Sequence, residues 1–176
     1  MTYPDIFRDE RYRMCIELAA LSAGIGERYG AILISGTEEI IGRGYNRSIA
    51  HASFPGIRLP RIIRQGYANH AEVEAINDAL LSDKPVIGAK VYVAGYFPSD
   101  KGLFLHNTFT CDRCAKIMDR WGIESVFVPS VQGWVERPVA IALAEARSLS
   151  AEGKGKHEKR RNLTEGRYSL DQLYSV

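Results

Sequence analysis

Asn69-His70-Ala71-Glu72 and Thr110-Cys111-Asp112-Arg113-Cys114 are the stretches from which the rest of this chain can be read. The first supplies an imidazole and, two residues on, a carboxylate. The second supplies two thiols at the Cys-x-x-Cys spacing that zinc sites use. Redox pairs share that spacing, so the thiols alone do not decide the chemistry. Three protein ligands leave a tetrahedral zinc ion one position short, where catalytic sites keep a water; a structural site closes with a fourth ligand.

Both stretches open helices. Apolar Val73, Ile76, Ala79 and Leu80 predict a helix over 70–81, and a second runs over 111–121, stopped by Gly122. Upstream, Tyr12, Cys15, Leu18, Ala19 and Ser22 repeat at helical steps, which predicts an amphipathic helix over 8–23, ended by Gly24. Residues 29–34 and 40–45 read as strands joined at Gly36-Thr37-Glu38 into a hairpin. Strands over 89–94 and 125–128 and an Ala-rich helix over 137–148 complete the series. Two irregular stretches precede the motifs. Residues 49–67 carry Pro55, Pro60, Arg58, Arg61 and Arg64, and residues 96–109 carry Pro98, Gly102 and His106.

This order implies an α/β protein: a three-layer α/β/α fold with a mixed central sheet. Strands joined through a helix run parallel by right-handed crossovers. The domain is set at 1–150. Residues 151–176 form a basic tail, Gly- and Lys-rich over 152–161, with 168–174 docking on the body or a neighbour, or fraying.

Bulk properties bound the function. At 176 residues, 45% hydrophobic and 25% charged, the chain fits one globular domain with a full core. Its apolar runs are strand-sized, which speaks against a membrane span, and 1–10 does not read as a signal peptide, so a cytoplasmic location is expected. A net charge of +2 makes no case for nucleic acid. Three cysteines do not make a disulfide framework, and Cys15 reads as a small buried hydrophobe.

The placement of the motifs matters chemically. A helix N-terminus favours anions and lowers the pKa of a cysteine there. Cys111 and Cys114, one turn apart, offer both sulfurs from one face. Zinc held by two thiolates and a neutral imidazole carries no net charge and brings a water's pKa towards neutral. Glu72 need not bind metal; it suits proton transfer.

His-Ala-Glu, a strand and Cys-x-x-Cys, in that order, resemble the zinc-dependent cytidine/deoxycytidylate deaminase superfamily, whose pattern is H-x-E followed by P-C-x-x-C. The likeness in order and motifs runs over 8–148. It implies Zn2+ on His70, Cys111 and Cys114, with Glu72 as the proton shuttle. Gly42-Arg43-Gly44-Tyr45-Asn46 resembles the strand whose closing Asn contacts substrate, which implies that role for Asn46. Ala71, Phe109 and Thr110 are implied as pocket residues beside the motifs. Phe109 and Tyr96 are candidates to stack on a base, against ordinary packing. Arg58, Arg61 and Arg64 suit a substrate phosphate, against a solvated face or subunit contact. Thr110 departs from the usual Pro, and the 95–110 segment is longer than the common form. A histidine first ligand resembles the deoxycytidylate, tRNA-adenosine and guanine-type branches.

The implied reaction is hydrolytic deamination: an activated water attacks the ring carbon bearing the amine, and ammonia leaves. The first-choice substrate is deoxycytidylate or a related pyrimidine nucleotide. A tRNA adenosine or guanine-type deaminase is the alternative, weakened for tRNA by the lack of a continuous basic stripe. A zinc-stabilised structural or regulatory module without catalysis is the third reading, against which the intact Glu72 argues. The resemblance also implies a homo-oligomer with pockets completed by neighbours. Of the remaining residues, His106 could close the site as a fourth ligand but is expected to be solvated or pocket-lining, Trp121 and Trp134 core or interface, and the basic run 154–161 solvated.

Overall fold

In the computed structural model the described residues are 3–22, 27–48, 68–105, 110–151 and 168–176. Arg28–Ile34 (β1) and Ile40–Tyr45 (β2) form the expected antiparallel hairpin. Its turn closes on Ser35, whose hydroxyl accepts from the Thr37 and Glu39 amides, with Glu38 at φ 63°. After β2 come two short pieces, Arg47–Ser48 (β3) and Ala68–Asn69 (β4), paired antiparallel with Arg47 opposite Asn69. The chain therefore leaves for 49–67 and returns from it side by side, next to His70.

Lys90–Tyr96 (β5) pairs antiparallel with β1, and Ser125–Ser130 (β6) pairs parallel with β5 across the helical crossover. A further strand, Gly133–Pro138 (β7), turns back on β6 as an antiparallel hairpin and makes the sheet five-stranded, in the order β2-β1-β5-β6-β7. The expected helix over 137–148 consequently begins later, at Val139. Pro138 sits at the end of an edge strand, where its missing N–H breaks no interior ladder.

Glu10–Ala20 (α1), capped by the Asp9 carboxylate on the Tyr12 amide, covers one face of the sheet. Ala71–Leu81 (α2) and Asp112–Arg120 (α3) lie on the other, with Val139–Ala151 (α4) packed on α3. The strands obey a period of two. Ile32, Ile34, Tyr92, Ala94 and Tyr96 fill the α1 side, while Ala31, Leu33, Val91, Val93, Val126 and Val128 fill the α2–α3 side. The three-layer arrangement with a mixed sheet is thus the observed one. No helix among the described residues is long and apolar enough to cross a membrane.

Residues 168–176 pack on the body. Gly102 bridges Ser169, the Leu103 amide donates to the Tyr168 carbonyl (2.8 Å), and Leu170–Leu173 (α5) buries Leu173 in the α1-side core.

Candidate metal centre

Small residues bring α2 down onto β2. Cβ atoms built on Gly42 and Gly44 would collide with the α2 backbone at Ala71 and Ala75, so glycine alone permits this approach. Ala71, Ala75 and Ala79 recur every four residues along the helix, and all are fully buried. The seat fixes where α2 begins, and its N-cap is His70, in extended conformation at φ −78° and ψ 154°.

Across from it, Cys111 is the N-cap of α3, also extended, and its sulfur accepts from the Cys114 amide (3.3 Å). Two helix N-termini therefore converge, and both favour anionic sulfur. His70 Nδ1 lies 3.2 Å from Cys111 Sγ and 3.2 Å from Cys114 Sγ. All three donor atoms lie within 4.8 Å of one another. A tetrahedral zinc with ordinary bond lengths would hold nitrogen and sulfur about 3.5 Å apart, so the grouping fits zinc by donor type and spacing. No fourth His, Cys, Asp or Glu among the described residues joins the group; His106 lies outside them.

Glu72 is only 8% exposed, in the first turn of α2, and stands outside the donor group. Among the described residues no hydrogen bond or ion pair engages its carboxylate.

The remaining predicted residues divide. Ala71 is the first residue of α2 and fully buried. Thr110, directly before Cys111, is buried, and its Oγ1 has no hydrogen-bond partner among the described residues. Asn46 directly follows β2; its Oδ1 accepts from the Tyr29 amide and its Nδ2 donates to the Glu27 carbonyl, both 2.8 Å. Arg58, Arg61, Arg64, His106 and Phe109 lie outside the described residues. Tyr96 takes the ordinary-packing alternative: strand parity turns it to the α1 side, away from Cys111 and Cys114, and it packs there. Trp134 is half-buried on the same side, edge-on to Tyr92 (5.0 Å), whereas Trp121 is exposed. Cys15 is fully buried, and burial pushes its thiol pKa up, as befits a packing residue.

Sequence reasoning gave no role to Asn69 or Arg113, which flank the donors and touch each other. It also missed the packing role of Gly42 and Gly44, although two glycines facing an Ala-x-x-x-Ala-x-x-x-Ala stripe carry that signal in principle.

Residues 7–130 match the family model for the cytidine and deoxycytidylate deaminase zinc-binding region. The chain belongs to that family. Zinc is accordingly its metal, since the matched region contains the His/Cys/Cys group. No curated protein matches the chain significantly by sequence. Among solved structures it is similar to the dCMP deaminase from the cyanophage S-TIM5. That likeness is 18% identity over 57% of this chain and 64% of that one for the complex with dCMP and dUMP (TM-score 0.38). For the apo form it is 15% over 69% and 75% (TM-score 0.40). It is also similar to a diaminohydroxyphosphoribosylaminopyrimidine deaminase/5-amino-6-(5-phosphoribosylamino)uracil reductase from Thermotoga maritima, 19% identical, TM-score 0.41. The match there covers 89% of this chain but 34% of that one, so this chain spans about a third of that protein's length. Family membership rests on the 7–130 match.

Proposed function

We propose that the protein is a hydrolytic deaminase of a pyrimidine nucleotide, deoxycytidylate first, with His70, Cys111 and Cys114 as zinc ligands and Glu72 as the general acid–base. Glu72 carries this reading. It places a carboxylate in the first turn of α2, two residues from His70 and outside the donor group, where it is available to move protons for water and substrate.

When bound, zinc supplies the Lewis acidity that makes a water nucleophilic near neutral pH. Glu72 accepts the first proton of that water and passes it to N3 of the cytosine ring while the C4–O bond forms. It then takes the proton of the new hydroxyl to the exocyclic amine, the C4–N bond breaks, and ammonia leaves with C4 as a carbonyl. One carboxylate serves both transfers because N3 and the amine are neighbours on the ring.

The family description supports a cytosine base. A nucleotide is supported by the arginines Arg58, Arg61 and Arg64, whose segment is bounded by β3 and β4 beside His70. Ala71, Phe109 and Thr110 adjoin the proposed ligands and are assigned to the base pocket. Asn46 is assigned a substrate contact through the Nδ2 hydrogen that Glu27 does not use. Self-association belongs to the same reading and is supported by Ile87 and Trp121, exposed on either side of the Gly88–Gly122 hydrogen bond (2.7 Å).

The test is ammonia release by zinc-loaded protein from deoxycytidylate, cytidylate, deoxycytidine, cytosine, guanine and tRNA. Deoxycytidylate is expected to give the highest kcat/KM. A preference for guanine or tRNA would replace the substrate, and silence on every compound would overturn the enzyme.

A further inference from the structure

We infer that Asn69 is a positioning residue that locks the histidine segment of the metal group to the cysteine segment. This rests on the zinc reading of His70, Cys111 and Cys114.

Asn69 is where three parts of the fold meet. Its backbone pairs with Arg47 in the β3–β4 ladder, and its side chain, 2% exposed, reaches both helices that carry the donors. Nδ2 donates to Glu74 Oε1 on α2 (2.7 Å). Oδ1 accepts from Arg113 Nη2 on α3 (3.4 Å). The amide can sit only one way round, because a carboxylate must accept and a guanidinium must donate. Glu74 in turn lies 3.6 Å from Arg47, whose guanidinium covers the Tyr45 ring at 4.3 Å.

The spacing gives the bridge its consequence. Asn69 immediately precedes His70, and Arg113 lies between Cys111 and Cys114. The contact therefore ties together two segments 44 residues apart at the points where each presents a donor. It adds a polar tie between the two segments to the shared core in which α2 and α3 pack. A zinc site assembled from two helix starts depends on their mutual placement, and groups that orient ligands change metal affinity when removed.

Asn69→Ala, Arg113→Ala and the double variant decide the matter, with zinc affinity measured by competition against a colorimetric chelator. The visible spectrum of the Co2+-loaded protein is the second readout. Asn69→Ala is expected to weaken zinc binding about tenfold, and Arg113→Ala to weaken it in the same direction. The double variant should lose no more than Asn69→Ala, because both changes cut one bridge. The cobalt bands should shift in every variant, which a general loss of stability would not produce. Arg113 is partly exposed, so Arg113→Ala spares the core and decides alone if Asn69→Ala fails to fold. Wild-type affinity and an unchanged cobalt spectrum in Arg113→Ala would overturn the inference, even with a lowered Tm. A wild-type protein that takes up neither zinc nor cobalt would overturn the metal reading itself, and this inference with it.

Discussion

Glu72 and His70 are two residues apart, and the start of α2 lets them differ in duty. His70 is an N-cap in extended backbone, so its ring turns towards Cys111 and Cys114, while Glu72 is already helical and stays outside the donor group. In a helix interior residues two apart face away from each other. At an N-terminus both can address the space beyond the helix end. Exchanging Glu72 for glutamine keeps the size and removes the proposed proton carrier. Glu72→Gln is therefore expected to bind zinc at the wild-type stoichiometry and to lose roughly 10²–10⁴-fold in kcat. Metal content by atomic absorption and ammonia release in the same preparation read both halves. Lost zinc would make Glu72 a structural residue, and unchanged turnover would remove it from the mechanism.

At the scale of elements, the two motifs are held by how α2 and α3 sit on the sheet. Gly44 is the sharpest handle on that seating. A methyl group there would meet the Ala75 nitrogen and the Ala71 carbonyl oxygen, which are backbone atoms that cannot rotate aside. Gly44→Ala is expected to cost about 2–3 kcal/mol, lowering Tm by roughly 5–10 °C, and to loosen zinc binding because His70 moves with α2. Differential scanning calorimetry and chelator competition measure the two effects; an unchanged Tm would mean that α2 does not rest on β2. These elements differ in how far the sequence announces them. Helices with apolar residues at three- and four-residue steps are legible locally, and α2 and α3 each begin one residue later than their spacing predicts because His70 and Cys111 are caps. β7 is not legible in that way. Trp134, Val135, Glu136 and Arg137 are mostly half-exposed, without clean alternation, and the strand exists through its pairing with β6. The metal donors and Glu72 stand out by residue type and spacing. The Asn69 bridge does not, because its partners lie five and 44 residues away.

For the whole molecule, the notable connection runs from one end of the described chain to the segment that leads to the cysteines. Tyr168 sits edge-on to Phe7 (5.6 Å), and the Leu170 amide donates to the Lys101 carbonyl (3.0 Å). Arg13 Nη2 donates to the Val176 carbonyl (2.9 Å). Leu173 is fully buried in one cluster with Ile6, Phe7, Leu103 and Leu105, so α5 joins the first helical turns to the stretch after β5. Leu103 to Leu105 lie a few residues before Thr110 in the sequence. Leu173→Ala is expected to destabilise the protein by about 2–5 kcal/mol through the cavity it leaves. Removal of 168–176 should lower Tm further, since it exposes the same cluster and unpairs the Leu103 amide. Denaturant melts of the two variants beside the full chain read this directly. A truncated protein as stable as the full chain would show that α5 is not seated in solution. A seated α5 predicts, in addition, slower exchange of the Leu103 amide in the full chain than in Leu173→Ala, because that hydrogen bond opens only when the segment lifts.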